Sequence, residues 1–168
     1  IVEGVNIGGW HDAGDFDLRI ESQAGECYIL ALAYEAFHPK LDVTSIDQIN
    51  RITEIHQADG KNDLLQQVEN GALSVVNSYL ALGRLYRGII CNGLRQYVLL
   101  GDASAMTDGE IGNDDDRWIF TEDNPMREMS TAAQLAATSR VLKGFNDTLS
   151  IHCLNIAREI FEHTGKDN

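Results

Sequence analysis

The chain has 168 residues, of which 43% are hydrophobic and 23% are charged, and its net charge at pH 7 is −13. This length and composition are typical of one globular domain with its own core. The negative charge argues against binding to nucleic acid, whose phosphates would be repelled. No apolar stretch approaches the roughly 18 residues of a membrane span, so a membrane is not expected as a partner either.

Five stretches of the chain have apolar residues at helical spacing, and each is predicted to form a helix. They cover residues 22–37, 45–59, 63–82, 125–143 and 147–164. Asn62 or Asp63 is the candidate N-cap of the third helix, Asn146 or Asp147 that of the fifth, and Gly144 suits the end of the fourth. The second helix is predicted from isoleucines at every third residue, which are Ile46, Ile49, Ile52 and Ile55.

Residues 84–124 break this pattern and are expected to form a long irregular segment. Within it, two apolar runs, 89–91 and 94–100, flank Asn92-Gly93, a pair that favours a tight hairpin. The acidic run 108–116 is long for a loop in a compact domain, which points to a functional role. A calcium ion would suit its clustered oxygens, but the run lacks the EF-hand spacing, so a solvated acidic loop is favoured.

The three cysteines, Cys27, Cys91 and Cys153, are far apart in the sequence, and each falls in an apolar run. Their number is odd, and their spacing fits neither a disulfide framework nor a metal site. They are therefore predicted to be buried free thiols. The histidines show no zinc-binding spacing either, so no metal and no cofactor is expected.

The most informative run is residues 8–15, which reads Gly-Gly-Trp-His-Asp-Ala-Gly-Asp. It places two carboxylates, Asp12 and Asp15, three residues apart around a glycine. Like charges this close are costly to hold together, and enzymes accept that cost when a water must be held and deprotonated. Trp10 adds a flat apolar surface on which a sugar ring can lie. The alternative is that both aspartates serve a turn, since Asp beside Gly is common there.

This run resembles the GGWxDAGD signature of glycoside hydrolase family 9, which comprises cellulase-like inverting enzymes. Later stretches resemble the same family in the same order: the helix start at 62–65, the run 114–118 followed by Glu122, and the alanine-rich run 132–140. The resemblance implies an all-α fold, the (α/α)6 barrel or six-hairpin toroid. About five helices are fewer than half of the twelve in such a barrel. Residues 1–168 are therefore expected to be the N-terminal part of a glycoside hydrolase catalytic domain.

The resemblance also implies the chemistry of the site. Asp15 would be the general base that activates the attacking water, and Asp12 would help to hold that water. The family's catalytic acid is a glutamate far downstream, which matches no residue of this chain. Trp10, His11 and Trp118 would contact the substrate. The protein would thus hydrolyse O-glycosidic bonds of a β-linked polysaccharide with inversion, as an endoglucanase does, and the fragment alone would be inactive.

Two departures from the family pattern leave the identity of the sugar open. His11 stands where cellulases commonly have tyrosine, and residues 16–19 replace the usual His-Val-Lys-Phe. Arg19, the last of these residues, is expected to form a structural ion pair with Glu21.

The partners implied by the resemblance are a polysaccharide or oligosaccharide substrate and the remainder of the catalytic domain. Without that remainder, self-association through uncovered helix faces is expected. The sequence does not identify the compartment, although a secreted, periplasmic or cell-surface location suits a polysaccharide hydrolase. The alternative function is a non-catalytic helical carbohydrate-binding or scaffold module, which would account for the amphipathic helices but not for the paired aspartates.

Overall fold

In a computed structural model of the protein, the described residues are 2–5, 7–11, 17–91, 110–112 and 116–165. They form four helices and five strands. In chain order these are β1 (Leu18–Arg19), α1 (Ile20–Phe37), β2 (Thr44–Asp47), β3 (Ile52–Ile55), α2 (Asp63–Leu82), β4 (Tyr86–Cys91), β5 (Arg117–Thr121), α3 (Pro125–Leu142) and α4 (Asp147–Thr164). The helical part of the prediction is confirmed, but an all-α chain with five helices is wrong for this part of the protein, because two small sheets accompany the helices.

Asparagine caps set the starts of three helices. The side-chain oxygen of Asn62 accepts hydrogen bonds from the backbone N–H groups of Leu64 and Leu65, and those of Asn124 and Asn146 each accept one from the first turn of α3 and α4. Such bonds satisfy donors that have no partner within the helix. The predicted bounds of the α2 helix are confirmed, and it ends at Gly83 in the left-handed conformation (φ 68°).

The four helices share one hydrophobic core. Helix α1 packs against both α2 and α3, and α3 and α4 form a helical hairpin. The α1 helix contributes mainly small buried residues, such as Ala24, Cys27 and Ala31. Ile20 is also buried, but other large apolar side chains of this helix face outward, with Ile29 65% exposed and Phe37 81% exposed. Among the described residues, no helix combines the length and apolar character needed to cross a membrane.

The predicted second helix, at 45–59, is wrong, because this segment forms an antiparallel hairpin of β2 and β3 with Thr44 opposite Ile55. Its isoleucines do not share a buried face, since Ile49 is 92% exposed and Ile55 72% exposed. β-Branched residues favour strands over helices. In addition, Oδ1 of Asp47 accepts hydrogen bonds from the N–H groups of Ile49 and Asn50 at 2.9 Å each, and this local bonding favours a turn over a helix.

The segment 84–124, expected to be irregular, contains two strands of a three-stranded antiparallel sheet in the order β1-β4-β5. Ile89–Cys91, predicted as the first arm of a hairpin, lies in β4 and pairs with β5, where Ile90 is opposite Trp118. The predicted turn at Asn92-Gly93 and the second arm at 94–100 lie outside the described residues. The other edge of β4 pairs with β1 at Gly88 and Ile89.

Cys27 and Cys153 are free and buried in the core, which confirms the prediction for these two residues. The side chain of Cys91 lies outside the described part of the chain. Burial raises the pKa of the Cys27 thiol far above its usual range and that of Cys153 to about 12. Both thiols therefore remain protonated and unreactive in the folded protein at neutral pH.

We expect this burial to make the protein less stable at alkaline pH. In the unfolded chain a thiol loses its proton above about pH 8.5, whereas the folded protein retains it until about pH 12 at Cys153. The free energy of unfolding should therefore be unaffected by these groups below pH 8 and should fall above pH 9, by up to about 1.4 kcal/mol per pH unit for each thiol. Urea unfolding between pH 7 and pH 10.5 measures this slope. Cys153→Ala should reduce the slope by the contribution of one thiol, since Cys27 remains, and an unchanged slope in that variant would contradict the assignment.

Candidate active site

Two helices hold the glycine-tryptophan part of the motif by its backbone. The N–H of Gly9 donates to the carbonyl oxygen of Asn70 on α2 at 2.8 Å, and the Asn70 side-chain amide donates back to the carbonyl of Gly9 at 3.2 Å. From α1, the Gln23 side chain accepts from the N–H of Trp10 at 2.8 Å and donates to its carbonyl at 2.7 Å. Two amide side chains thus fix the path of the chain just before Asp12.

The first two glycines of the motif are required by this close approach. Gly8 and Gly9 have φ values of 69° and 88°, a region that other residues enter only at a cost. A Cβ on Gly8 would lie 2.3 Å from the backbone oxygen of Asn70, and one on Gly9 would lie 2.9 Å from both Gln23 and Ser74. The loop can contact the helices this closely only because neither residue has a side chain.

The side chain of Trp10 packs on a glycine of the α2 helix. A Cβ on Gly71 would lie 2.3 Å from the Trp10 ring and 2.5 Å from the sulfur of Cys27. The indole N–H donates to the side-chain oxygen of Gln67 at 3.1 Å. Trp10 is only partly buried, so these contacts give it a packing role, and its predicted contact with sugar stays a prediction.

Ser74 of α2 and Tyr86 of β4 form a contact between the helices and the larger sheet. Their hydroxyl oxygens lie 3.4 Å apart, and both residues are buried. Burial raises the pKa of the Tyr86 hydroxyl well above its usual range, while its hydrogen bond with Ser74 acts in the opposite direction. Tyr86 therefore stays neutral and serves as a packing and hydrogen-bonding residue.

His11 and Trp118 line one cavity of about 610 Å³, which we call the Trp118 cavity. Its walls come from the N-terminal segment and from all three strands of the larger sheet, with Asp116 and Arg117 beside the two aromatic residues. Trp118 lies on β5 and is 55% exposed. Two of the three predicted substrate-binding residues are thus brought together. Asp12 and Asp15 lie outside the described residues, although Asp12 directly follows His11 in the chain.

A second cavity of about 710 Å³ lies between residues 7–10, the β2–β3 hairpin and helix α2, and we call it the hairpin cleft. Trp10 lines this cleft, whereas His11 lines the Trp118 cavity. Gly8 lines both. The structure therefore divides the three predicted substrate-binding residues between two adjoining cavities, one on either side of the glycine loop.

A network of four charged residues fastens the larger sheet to the helices. Glu21 in the first turn of α1 accepts from Arg87 of β4 at 2.8 Å and from Arg127 of α3 at 3.1 Å. Glu122, just after β5, pairs with the same two arginines. The network lies next to the strand that carries Trp118, so it helps to set the position of this wall of the cavity.

The predicted ion pair between Arg19 and Glu21 is wrong. Arg19 pairs instead with Asp17, whose Oδ2 lies 2.6 Å from the guanidinium Nε. Arg19 lies in β1 and Glu21 in the first turn of α1, so the backbone changes direction between them, and each side chain turns to a different partner. Asp17 is only 3% exposed, which makes this a buried carboxylate two residues after Asp15.

Sequence reasoning missed the amide side chains that hold the motif: Gln23, Gln67 and Asn70. Gln23 is 1% exposed, and a polar residue on the buried face of a predicted helix was the available signal, because buried polar groups require hydrogen-bond partners. The described residues contain no cluster of three or more His, Cys, Asp or Glu side chains placed to bind a metal ion. Most of the acidic run 108–116 lies outside them.

Comparison with known proteins finds similarity at the level of structure. No protein-family model matches the chain, and no curated protein does. A metagenome-derived family 9 endoglucanase is 21% identical to this chain, with a TM-score of 0.66. The aligned region covers 94% of this chain and 26% of the endoglucanase. An endoglucanase from the termite Nasutitermes takasagoensis is 20% identical over 95% and 33%, with a TM-score of 0.61. A family 9 glycoside hydrolase from Bacteroides ovatus is 16% identical over 95% and 27%, with a TM-score of 0.68.

These similarities cover nearly all of this chain but only about a quarter to a third of each neighbour. Identities near 20% support a shared fold and do not by themselves transfer an activity. The similarity suggested by residues 8–15 is confirmed at this level. The chain has the fold of one segment of the family 9 glycoside hydrolases.

Proposed function

We propose that this chain is part of a glycoside hydrolase that cleaves O-glycosidic bonds of a β-linked polysaccharide, in the manner of an endoglucanase. The observation that carries the proposal is the Trp118 cavity, which is lined by both Trp118 and His11, the residue that directly precedes Asp12 in the chain. A neutral polysaccharide also suits a chain with a net charge of −13, because an anionic polymer would be repelled.

In the proposed mechanism, Asp15 removes a proton from the water that attacks the anomeric carbon, and Asp12 helps to hold that water. The backbone bonds of Gly9 and Trp10 to α2 and α1 support this assignment, because they anchor the chain immediately before the two aspartates. An inverting hydrolase also needs a general acid about 6.5–9.5 Å from the base. We place that acid in a part of the catalytic domain outside these 168 residues.

Exposed apolar surface on α1 supports the proposal of a larger domain. Ile29 and Phe37 are among the large apolar side chains that face outward, and contiguous surfaces of this kind usually contact another part of a protein. We propose that the remainder of the catalytic domain covers this face. The 168 residues alone would then be inactive and would self-associate through it.

We expect the enzyme that contains this chain to release the α-anomer first from a soluble β-glucan. In a single displacement the water attacks the face opposite the leaving group, so a β-linkage yields an α-product before mutarotation. Proton NMR of fresh product distinguishes the two anomers. Initial β-anomer would rule out the inverting mechanism. The 168 residues expressed alone serve as the control and should give no product, and turnover by them would contradict the placement of the acid.

A further inference from the structure

We propose that the hairpin cleft is a second saccharide subsite, which binds sugar units of the same polysaccharide beyond those in the Trp118 cavity. The inference rests on the proposed function and extends it, because it assigns a binding role to the β2–β3 hairpin. The hairpin lies beside the motif loop but contributes no residue to the Trp118 cavity.

The first support is continuity between the two cavities. Gly8 lines both the Trp118 cavity and the hairpin cleft. Their volumes, about 610 and 710 Å³, both fall in the range of roughly 300–1,000 Å³ that is usual for ligand sites. A polymer bound at the first cavity must continue past its edge, and the cleft provides an adjoining site of comparable size across a single glycine.

The second support is the chemistry of the cleft walls. The hairpin contributes Arg51 and Thr53, and neither side chain has a hydrogen-bond or ion-pair partner among the described residues. Helix α2 contributes the amides of Gln67 and Asn70, and the loop contributes the edge of Trp10. Donors and acceptors around an apolar surface match the alternating hydroxyl groups and C–H faces of a sugar ring.

The third support is that the hairpin tip is held in place. Asp47 accepts hydrogen bonds from the backbone N–H groups of Ile49 and Asn50 and from the Asn50 side chain, and these bonds lower the pKa of its carboxyl group. Arg51 has a positive φ of 56°, a conformation that non-glycine residues adopt at a cost and that is common at functional positions. A held tip reduces the entropy lost when a ligand binds.

The fourth support is a chain of hydrogen bonds from the hairpin to the motif loop. The Gln48 side-chain amide donates to the side-chain oxygen of Asn70 at 3.1 Å, and the Asn70 amide donates to the carbonyl of Gly9 at 3.2 Å. The hairpin, the α2 helix and the catalytic loop therefore share one contact residue. A sugar in the cleft would lie against the same loop that leads to Asp12.

The test compares substrates of different length in the enzyme that contains this chain. In the double variant Arg51→Ala/Thr53→Ala, we expect kcat/KM for cellohexaose to fall about tenfold, as for the loss of one or two hydrogen bonds. For the shorter substrate cellotriose we expect binding in the Trp118 cavity alone, so its kcat/KM should stay within about twofold. Glu54→Ala is the matched control, because Glu54 is exposed on the same strand and does not line the cleft.

Each outcome decides between the alternatives. An unchanged kcat/KM for cellohexaose, or an equal loss for both substrates, would overturn the cleft as a subsite while leaving the proposed function intact. If the unmodified enzyme hydrolysed neither oligosaccharide, the proposed function would fail, and the subsite would fail with it. Thermal unfolding of the variant, expected to match that of the unmodified enzyme, confirms that these surface substitutions leave the fold unchanged.

Discussion

Replacing Gly71 with alanine is expected to destabilise the protein by about 2 kcal/mol, in spite of the higher helix propensity of alanine. The new methyl group would lie 2.3 Å from the Trp10 ring and 2.5 Å from the sulfur of Cys27, so the loop or the helix must shift. Because Trp10 directly precedes His11 and Asp12, the substitution should also lower activity. Urea unfolding of the variant measures the loss of stability.

Gly25 provides the matched control, since it also lies inside a helix. An added Cβ there would be 3.8 Å from the side-chain amide nitrogen of Gln134, which is ordinary contact. Gly25→Ala should therefore leave stability unchanged or raise it by up to about 1 kcal/mol. Equal destabilisation by both substitutions would show that the contact with Trp10 is not the cause.

In the enzyme that contains this chain, replacing Asp15 with alanine should lower kcat by about 10²- to 10⁴-fold if Asp15 is the proposed general base. Binding of cello-oligosaccharides, measured by calorimetry, should persist, because the aromatic and polar walls of the cavity remain. Asp15→Asn should show the same loss of kcat, since it keeps the size of the side chain but cannot accept the proton.

Three other outcomes would change the assignment. Unchanged hydrolysis in both variants would exclude Asp15 as the base. Loss of binding together with turnover would indicate that Asp15 supports the structure of the loop. Oligosaccharide binding without any turnover in the unmodified full-length protein that contains this chain would favour a carbohydrate-binding module over an enzyme.

Four of the five predicted helices are present in the structure, and these helices were the part of the fold that could be predicted from the sequence. Asn62 and Asn146 cap helices at the predicted positions, and Gly83 follows the predicted end of α2. These signals are local, because a cap bonds to backbone groups two or three residues away. Local signals of this strength determine helix ends whatever the rest of the chain does.

The β2–β3 hairpin could not be predicted from apolar spacing alone. Isoleucines at every third residue fit one face of a helix only if that face is buried, and Ile49 is 92% exposed. The informative signals were chemical: β-branched residues on both sides of Asp47, and a carboxylate able to bond the following backbone N–H groups. Here the hydrogen bonds of the turn, and not the spacing of the apolar residues, determine the local structure.

The candidate site was predicted only in part, because the side chains that hold its loop in place are distant in sequence from the loop. The motif indicated Trp10 and His11, and family resemblance added Trp118. The amides that hold the loop, however, come from Gln23 and Asn70, which are 13 and 61 residues from their partners. No local pattern shows which buried amide meets which loop, since that depends on how α1 and α2 pack.

The two tryptophans of this site differ in how freely evolution can change them. Trp10 fits against Gly71 and bonds to Gln67, so any replacement disturbs the helices. Trp118 is more than half exposed on a short strand, joined to the helical frame by pairing with β4 and by nearby ion pairs. Substitutions at Trp118 carry little cost in stability. Under the proposed function, selection for a new polysaccharide could therefore act on that wall of the cavity while the helical frame is inherited unchanged.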